Sequence, residues 1–237
     1  MASIQTYQEA VSQIKSGMSV MVGGFLDVGA PLKMIEGLSK SGIKDLTIIQ
    51  TVASFPGGSN NIGKLIKNRQ IKKLICSHIG SNTEILKQYK EGILEVEINP
   101  IKTLIERIRA TGVGLGAIVT ENGLETEIEE GRATITIDNK DYLLYQPLKA
   151  DIAIIKGYRA DKAGNIQYKH SLKGANPIMA AAADIVLAEV EEVVEVGKIP
   201  YESVGTPGSL VDIIIENNIF HQKEKCFKEY YAKVHNL

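Results

Sequence analysis

Residues 19 to 31, Ser-Val-Met-Val-Gly-Gly-Phe-Leu-Asp-Val-Gly-Ala-Pro, constrain the fold of this chain more than any other stretch. Val20 to Val22 form a short apolar run that reads as a buried strand, and Gly23-Gly24 end it abruptly. Gly29 follows, and Pro31 stands where a helix begins, its fixed φ suited to a first helical position. Glycines between a strand and a helix N-terminus let backbone N–H groups approach an anion, and the helix dipole favours negative charge there. The residues alone leave two readings open, an anion-binding loop or the tight turn of an α/β sheet.

The alternation continues beyond the loop. Thr6 to Glu9 has capping-box spacing, and Ala10, Val11 and Ile14 give the helix after it an apolar face. Leu32, Ile35 and Leu38 share one face of a helix after Pro31, Gly42 breaks it, and Leu46 to Ile49 supply the next strand. Strand, loop, helix, strand is a βαβ unit and implies a parallel sheet with a right-handed crossover. Helices are expected near 62–68, 83–90 and 104–109, with strands at 74–76 and 94–98. From about 117 to 146 the pattern changes to short strands and turns, including the Asp138-Asn139-Lys140 turn, and reads as an inserted antiparallel layer. Strands at 151–155 and 185–188 flank a small-residue helix at 178–183, and 210–215 read as a last amphipathic segment. One α/β domain over 1–216 follows, an open and mostly parallel sheet flanked by helices with the β insertion at 117–146. The tail 217–237 has Phe220, Phe227, Tyr230 and Val234 at helical spacing and is expected to be helical.

Composition narrows the function. A formal net charge of −1 gives no pull toward nucleic acid or a membrane surface, and aromatics at 5% with no Trp cannot build a stacking platform for single strands. No apolar run approaches the roughly 18 residues of a membrane span, and residues 1–10 lack the blocks of a signal peptide. A cytoplasmic protein with small-molecule or protein partners is the expectation. Cys76 and Cys226 are far apart and read as free thiols. His78, His170, His221 and His235 show no metal-ligand spacing, and His78 reads as a loop residue.

No glycine loop here ends in the Lys-Ser/Thr of a phosphate loop, and neither Gly23–Gly29 nor Gly112–Gly116 fits a dinucleotide fingerprint. Glu125, Glu127, Glu129 and Glu130 read as a solvated acidic face. Glu121, in Thr120-Glu121-Asn122-Gly123 after an expected strand at 116–119, has two readings: a nucleophile at a strand end, or part of a turn.

Gly17 to Phe25 with Gly29 and Pro31 resemble the first signature of family I coenzyme A transferases. Further motifs follow in the family's order: Lys44 to Ile49, Gly63 to Ile66, Ser77 to Asn82, Thr103 to Arg109, Ala150 to Ala153 with Gly164-Asn165, Asn176-Pro177 and Thr206 to Gly208. The resemblance covers about 200 residues and is strongest to the A (alpha) subunits that act on acetate, butyrate or succinate with 3-oxoacids. It implies a CoA-binding loop made of Gly23, Gly24, Phe25, Leu26, Asp27, Val28 and Gly29. It implies acyl-CoA as a substrate with no resident cofactor or metal, short-chain carboxylates as co-substrates, and a B (beta) subunit in an A2B2 heterotetramer. The nucleophilic glutamate of the family lies in a Ser-Glu-Asn-Gly motif of the B subunit, so no catalytic residue is expected here and Glu121 is a look-alike in an A-subunit turn. Two segments depart from the family pattern: Pro100 to Thr103 replaces Pro-Gln-Gly-Thr, and Gln50 to Ala53 lacks the usual Asn-Asp pair. The alternatives are a sugar-phosphate isomerase or deaminase of similar fold, which needs its own acid/base pair, and a non-catalytic acyl-CoA-binding module.

Overall fold

The computed structural model describes residues 2–53, 61–80 and 82–217. Its elements run β1 (Ser3–Ile4), α1 (Tyr7–Val11), β2 (Ser19–Val22), α2 (Leu32–Ser39), β3 (Leu46–Ile49), α3 (Gly63–Lys67), β4 (Ile71–Cys76), α4 (Thr83–Lys90), β5 (Glu95–Ile98) and α5 (Ile101–Gly112). The chain continues through β6 (Ile118–Thr120), β7 (Thr134–Ile137), β8 (Lys140–Tyr145), β9 (Ala150–Lys156), β10 (Arg159–Asp161), β11 (Ile166–Gln167), α6 (Asn176–Ala180), β12 (Ala183–Val190), β13 (Glu192–Val194), β14 (Val204–Thr206) and β15 (Ile213–Glu216).

Eight strands form the central sheet in the order β1-β15-β12-β9-β2-β3-β4-β5, and every pairing in it is parallel. The chain builds outward from β2 through β3, β4 and β5, then returns to β9 on the other side of β2 and builds outward again. Strand order therefore reverses between β2 and β9, and an open sheet of this kind binds ligands outside the carboxyl ends of its strands at such a point.

Both faces of the sheet are covered, which is why its strands read as continuous apolar runs. Val20, Val22, Ile48, Leu74, Ile152 and Ile154 pack with Met34, Leu38, Leu65 and Ile85 of α2, α3 and α4. On the opposite face Met21, Ile49, Ile75, Ala153 and Ile155 pack with Leu104 and Ile108 of α5 and Met179 of α6. At the first turn of α1 the Thr6 hydroxyl accepts from the Glu9 N–H while the Glu9 carboxylate accepts from the Thr6 N–H, the reciprocal cap that the sequence predicts.

The antiparallel insertion is a three-stranded sheet in the order β6-β8-β7. Its β7–β8 hairpin turns on Asp138 and Asn139, with φ of 50° and 60°. This left-handed pair is what a two-residue turn matched to strand twist requires. A further small sheet, in the order β13-β10-β11-β14, was not legible in the sequence; it is mixed, with β10 parallel to β13 and antiparallel to β11.

Three expectations change. The segment at 210–215 is no amphipathic element: Ile213, Ile214 and Ile215 are buried in β15, a strand of the central sheet paired on both sides. The small-residue helix is α6, Asn176–Ala180, set earlier by Pro177 in its first turn, and Ala183 already belongs to β12. Pro31 is the N-cap of α2 rather than its first helical residue. The expected helix in the tail, with Cys226, His221 and His235, lies outside the described residues.

Candidate functional site

The glycine loop leaves β2 at the switch point. The Gly23 N–H donates to the Ile154 carbonyl (2.9 Å), carrying the β2–β9 pairing one residue past the strand. Phe25 and Val28 then exchange both backbone hydrogen bonds, at 2.9 and 3.0 Å, across a turn tipped by Leu26 and Asp27. Leu26 has φ 55°, a conformation that costs a residue with a Cβ about 1–2 kcal/mol, so the surroundings must hold it.

They do so through the loop's carbonyls. The Gly24 carbonyl accepts from Thr51 Oγ1 (3.0 Å), that of Leu26 from Asn61 Nδ2 (2.7 Å), and that of Gly29 from Asn176 Nδ2 (3.2 Å). Side chains from three separate parts of the chain thus clamp one short loop. The amide N–H groups of Gly24, Leu26 and Gly29 have no protein partner among the described residues. Where carbonyls are claimed and the N–H groups of the same three residues have no partner among the described residues, a loop can offer donors to a ligand.

Close packing by itself demands the glycines. A Cβ on Gly23 would stand 1.8 Å from Asn176 Oδ1, one on Gly24 2.7 Å from the Ala30 nitrogen, and one on Gly29 2.6 Å from the Leu172 carbonyl oxygen. Phe25, by contrast, is 48% exposed at the rim of the loop. Leu26, Asp27 and Val28 are half-buried.

The helix start itself differs from the sequence reading. An anion does occupy the N-terminus of α2, and the protein supplies it. Glu189 Oε2, from β12, accepts from the N–H groups of Lys33 and Met34 at 3.0 Å each. Its other oxygen accepts from Asn217 Nδ2 (2.8 Å) and pairs with Lys156 Nζ (3.5 Å). These two first-turn N–H groups are therefore used internally. Asn176, Lys156 and Glu189 were missed as site residues. The signal was present: each of two apolar strands, β9 and β12, carries one charged residue near its carboxyl end.

The other flagged residues fall into three groups. Glu121 lies in a turn, 53% exposed at its side chain and ion-paired with Lys140 Nζ at 2.5 Å, which fits the turn reading. His78 is exposed in the loop after β4. Gln50, at the end of β3, is fully buried, and neither of its amide atoms has a hydrogen-bond partner. Ile101 is 42% exposed at the start of α5, while Thr103 is buried.

Cys76 ends β4 fully buried, and burial pushes its thiol up to about 12. At pH 8 it then holds about a thousandfold less thiolate than an ordinary thiol of pKa about 8.5. Alkylation of the native protein, followed by peptide mass spectrometry, should leave Cys76 unmodified until denaturant is added. Among the described residues no group of His, Cys, Asp or Glu could hold a metal ion, and no helix is long and apolar enough to cross a membrane.

The fold defines a doubly wound α/β protein whose glycine loop sits where strand order reverses, between β2 and β9. The chain belongs to the coenzyme A transferase family, whose signature matches residues 4–217. It is 42% identical over 212 residues to "Acetate CoA-transferase subunit alpha" of Escherichia coli (strain K12), an overlap of 90% of this chain and 96% of that protein. It is 46% identical over 215 residues to "Acetoacetyl-CoA:acetate/butyrate CoA transferase alpha subunit" of Clostridium acetobutylicum, covering 91% of this chain and 98% of that one. The crystal structure of an acyl-CoA transferase from E. coli O157:H7, a thioester complex with CoA, shares the fold with a TM-score of 0.82 at 22% identity. That alignment covers 91% of this chain and 47% of the other, so the chain spans about half the length of that transferase.

Proposed function

We propose that this chain is the alpha subunit of a two-chain CoA-transferase. It moves CoA from a short-chain acyl-CoA to a short-chain carboxylate, with acetoacetyl-CoA and acetate or butyrate as the pair its relatives' names favour. CoA is a substrate and no resident cofactor takes part. The observation that carries the reading is the clamped loop Gly23–Gly29 at the switch point, where the N–H groups of Gly24, Leu26 and Gly29 have no partner among the described residues beside a half-exposed phenylalanine. The loop meets CoA, and a beta subunit supplies the nucleophilic glutamate in an A2B2 assembly.

The chemistry balances without a redox step. The partner's glutamate attacks the acyl-CoA carbonyl and expels CoA thiolate, leaving a mixed anhydride. The thiolate attacks the glutamyl carbonyl, forming an enzyme–CoA thioester and releasing the donor acid. The acceptor carboxylate attacks this thioester, and the freed thiolate then takes the new acyl group and returns the glutamate. Each intermediate is hydrolysable, so the cleft must exclude water. A loop with fixed carbonyls and available N–H groups suits the developing oxyanions.

The test is trapping. The chain is incubated with acetoacetyl-CoA and borohydride, alone and with its beta subunit, and the glutamate reduced to an alcohol is located by mass spectrometry. Reduction only in the beta subunit is the expected result, and reduction of Glu121 in the isolated chain overturns the assignment. Glu121→Gln should leave kcat/KM of the assembled enzyme within about twofold, as for an exposed surface ion pair.

A further inference from the structure

We propose that Glu189 and Lys156 are positioning residues: a buried ion pair that, with Asn176, sets the glycine loop and the start of α2 in the arrangement that meets CoA. The proposal rests on the reading of that loop as a CoA contact.

The register of the sheet makes the pair. Glu189 of β12 lies directly opposite Lys156 of β9, with side chains 0% and 2% exposed. Burying two charges is costly, and apolar residues of similar volume in such a place are often neutral or stabilising. Stability alone therefore does not account for a Lys–Glu pair at the end of two strands whose other buried residues are all apolar.

Direction does account for it. Glu189 Oε2 takes two adjacent N–H groups of α2, those of Lys33 and Met34. That fork fixes both the position and the rotation of the helix start, which follows the loop directly. Lys156 balances the carboxylate through its ammonium group, while its backbone N–H donates to Asn176 Oδ1 at 2.9 Å. Asn176 in turn holds the Gly29 carbonyl and abuts Gly23. The ends of β9 and β12 thereby grip the loop at its entry and exit. An apolar pair could fill the same volume but could accept no N–H group.

The consequence is kinetic. In the enzyme assembled with its beta subunit, Glu189→Gln keeps one acceptor for α2 but turns an NH2 group toward the Lys156 and Asn217 donors. The KM for acetoacetyl-CoA should rise about tenfold, with kcat per trapped active site changing less than about threefold. Normalising to sites trapped with borohydride removes the effect of any misfolded fraction. Lys156→Arg, which keeps the charge, should retain a KM within about threefold of the parent. Should Glu189→Gln fail to assemble, Asn217→Ala removes one donor from Glu189 and should raise KM about threefold. Phe25→Ala, measured alongside, reports on the loop itself. A raised KM in both Phe25→Ala and the Glu189 or Asn217 variant supports the proposal. A raised KM in Phe25→Ala alone, with the Glu189 variant only lowering Tm, overturns it and leaves the loop reading intact. An unchanged KM in all variants overturns the loop reading and the proposal with it.

Discussion

Gly24→Ala should lower stability by about 2–5 kcal/mol and reduce transferase kcat/KM about a hundredfold. Two costs coincide at this position. Gly24 has φ 99°, a conformation L side chains rarely adopt, and its added Cβ would lie 2.7 Å from the Ala30 nitrogen and 2.9 Å from the Ala30 Cα. The obstacle is backbone, in a residue only 1% exposed, so no flexible side chain can swing aside. Relief has to come from the loop, and a shift of about 1 Å in a positioning element is enough for a hundredfold loss. Gly116→Ala is the matched control, because an added Cβ there meets nothing within 4 Å. It should stay within about 0.5 kcal/mol of the parent. Equal urea midpoints for the two variants, with equal kcat/KM, would falsify the view that the loop's geometry is fixed by packing.

Arg107→Met should cost about 3–4 kcal/mol at pH 7, read from urea denaturation. Arg107 is buried in α5 and reaches three acceptors: Glu97 Oε1 at 2.6 Å, Asn99 Oδ1 at 2.7 Å and the Gln146 carbonyl at 2.8 Å. It joins α5 to the end of β5 and to the chain entering β9. Removing it leaves a partly buried carboxylate with its main partner gone, and that penalty dominates. Burial tends to raise the Glu97 carboxyl, but the Arg107 guanidinium, helped by Asn99 and Lys73, holds it below the usual carboxylate value. A depressed folded pKa contributes stability that is present above the unfolded value of about 4.3 and lost as pH falls through the folded value. The gap between parent and variant should therefore narrow below about pH 4. A gap that widens on acidification would show that Glu97 is not the partner that matters.

The sequence exposed most where glycine and proline punctuate it. Val20–Val22, Gly23-Gly24, Gly29 and Pro31 fixed a strand, a turn and a helix start in order, and the βαβ alternation through β5 followed from apolar periodicity. The Asp138-Asn139 hairpin was visible because few other residue pairs tolerate two left-handed positions. What stayed hidden was short or long-range. Strands of two or three residues, such as β10 and β11, hold too little pattern to show a period. Ile213 to Ile215 misled for the opposite reason, since a buried parallel strand has no polar face to alternate with. At the site, the glycines were legible but their clamps were not. Asn176 is linked to Gly29 across 147 positions, and Glu189 to Lys33 across 156. Only the strand register brings them together, and no local spacing encodes it. Thr120 to Gly123 has a nucleophile's wording, but what the sequence does not display is the turn surface on which Glu121 pairs with Lys140.

The placement of β2 between β3 and β9 also governs how the molecule is born. As the chain leaves the ribosome, β2 can pair with β3 within a few dozen residues, yet its other edge waits for Ile152 to Ile154. During that interval an apolar strand edge is open to any neighbouring chain, which is the condition that favours aggregation. The glycine loop waits longer still, because its helix cannot be seated until Glu189 has been made. A nascent chain halted before β12 therefore carries the glycine-loop sequence without the shape that gives it meaning, and a strand made about 150 residues later completes it.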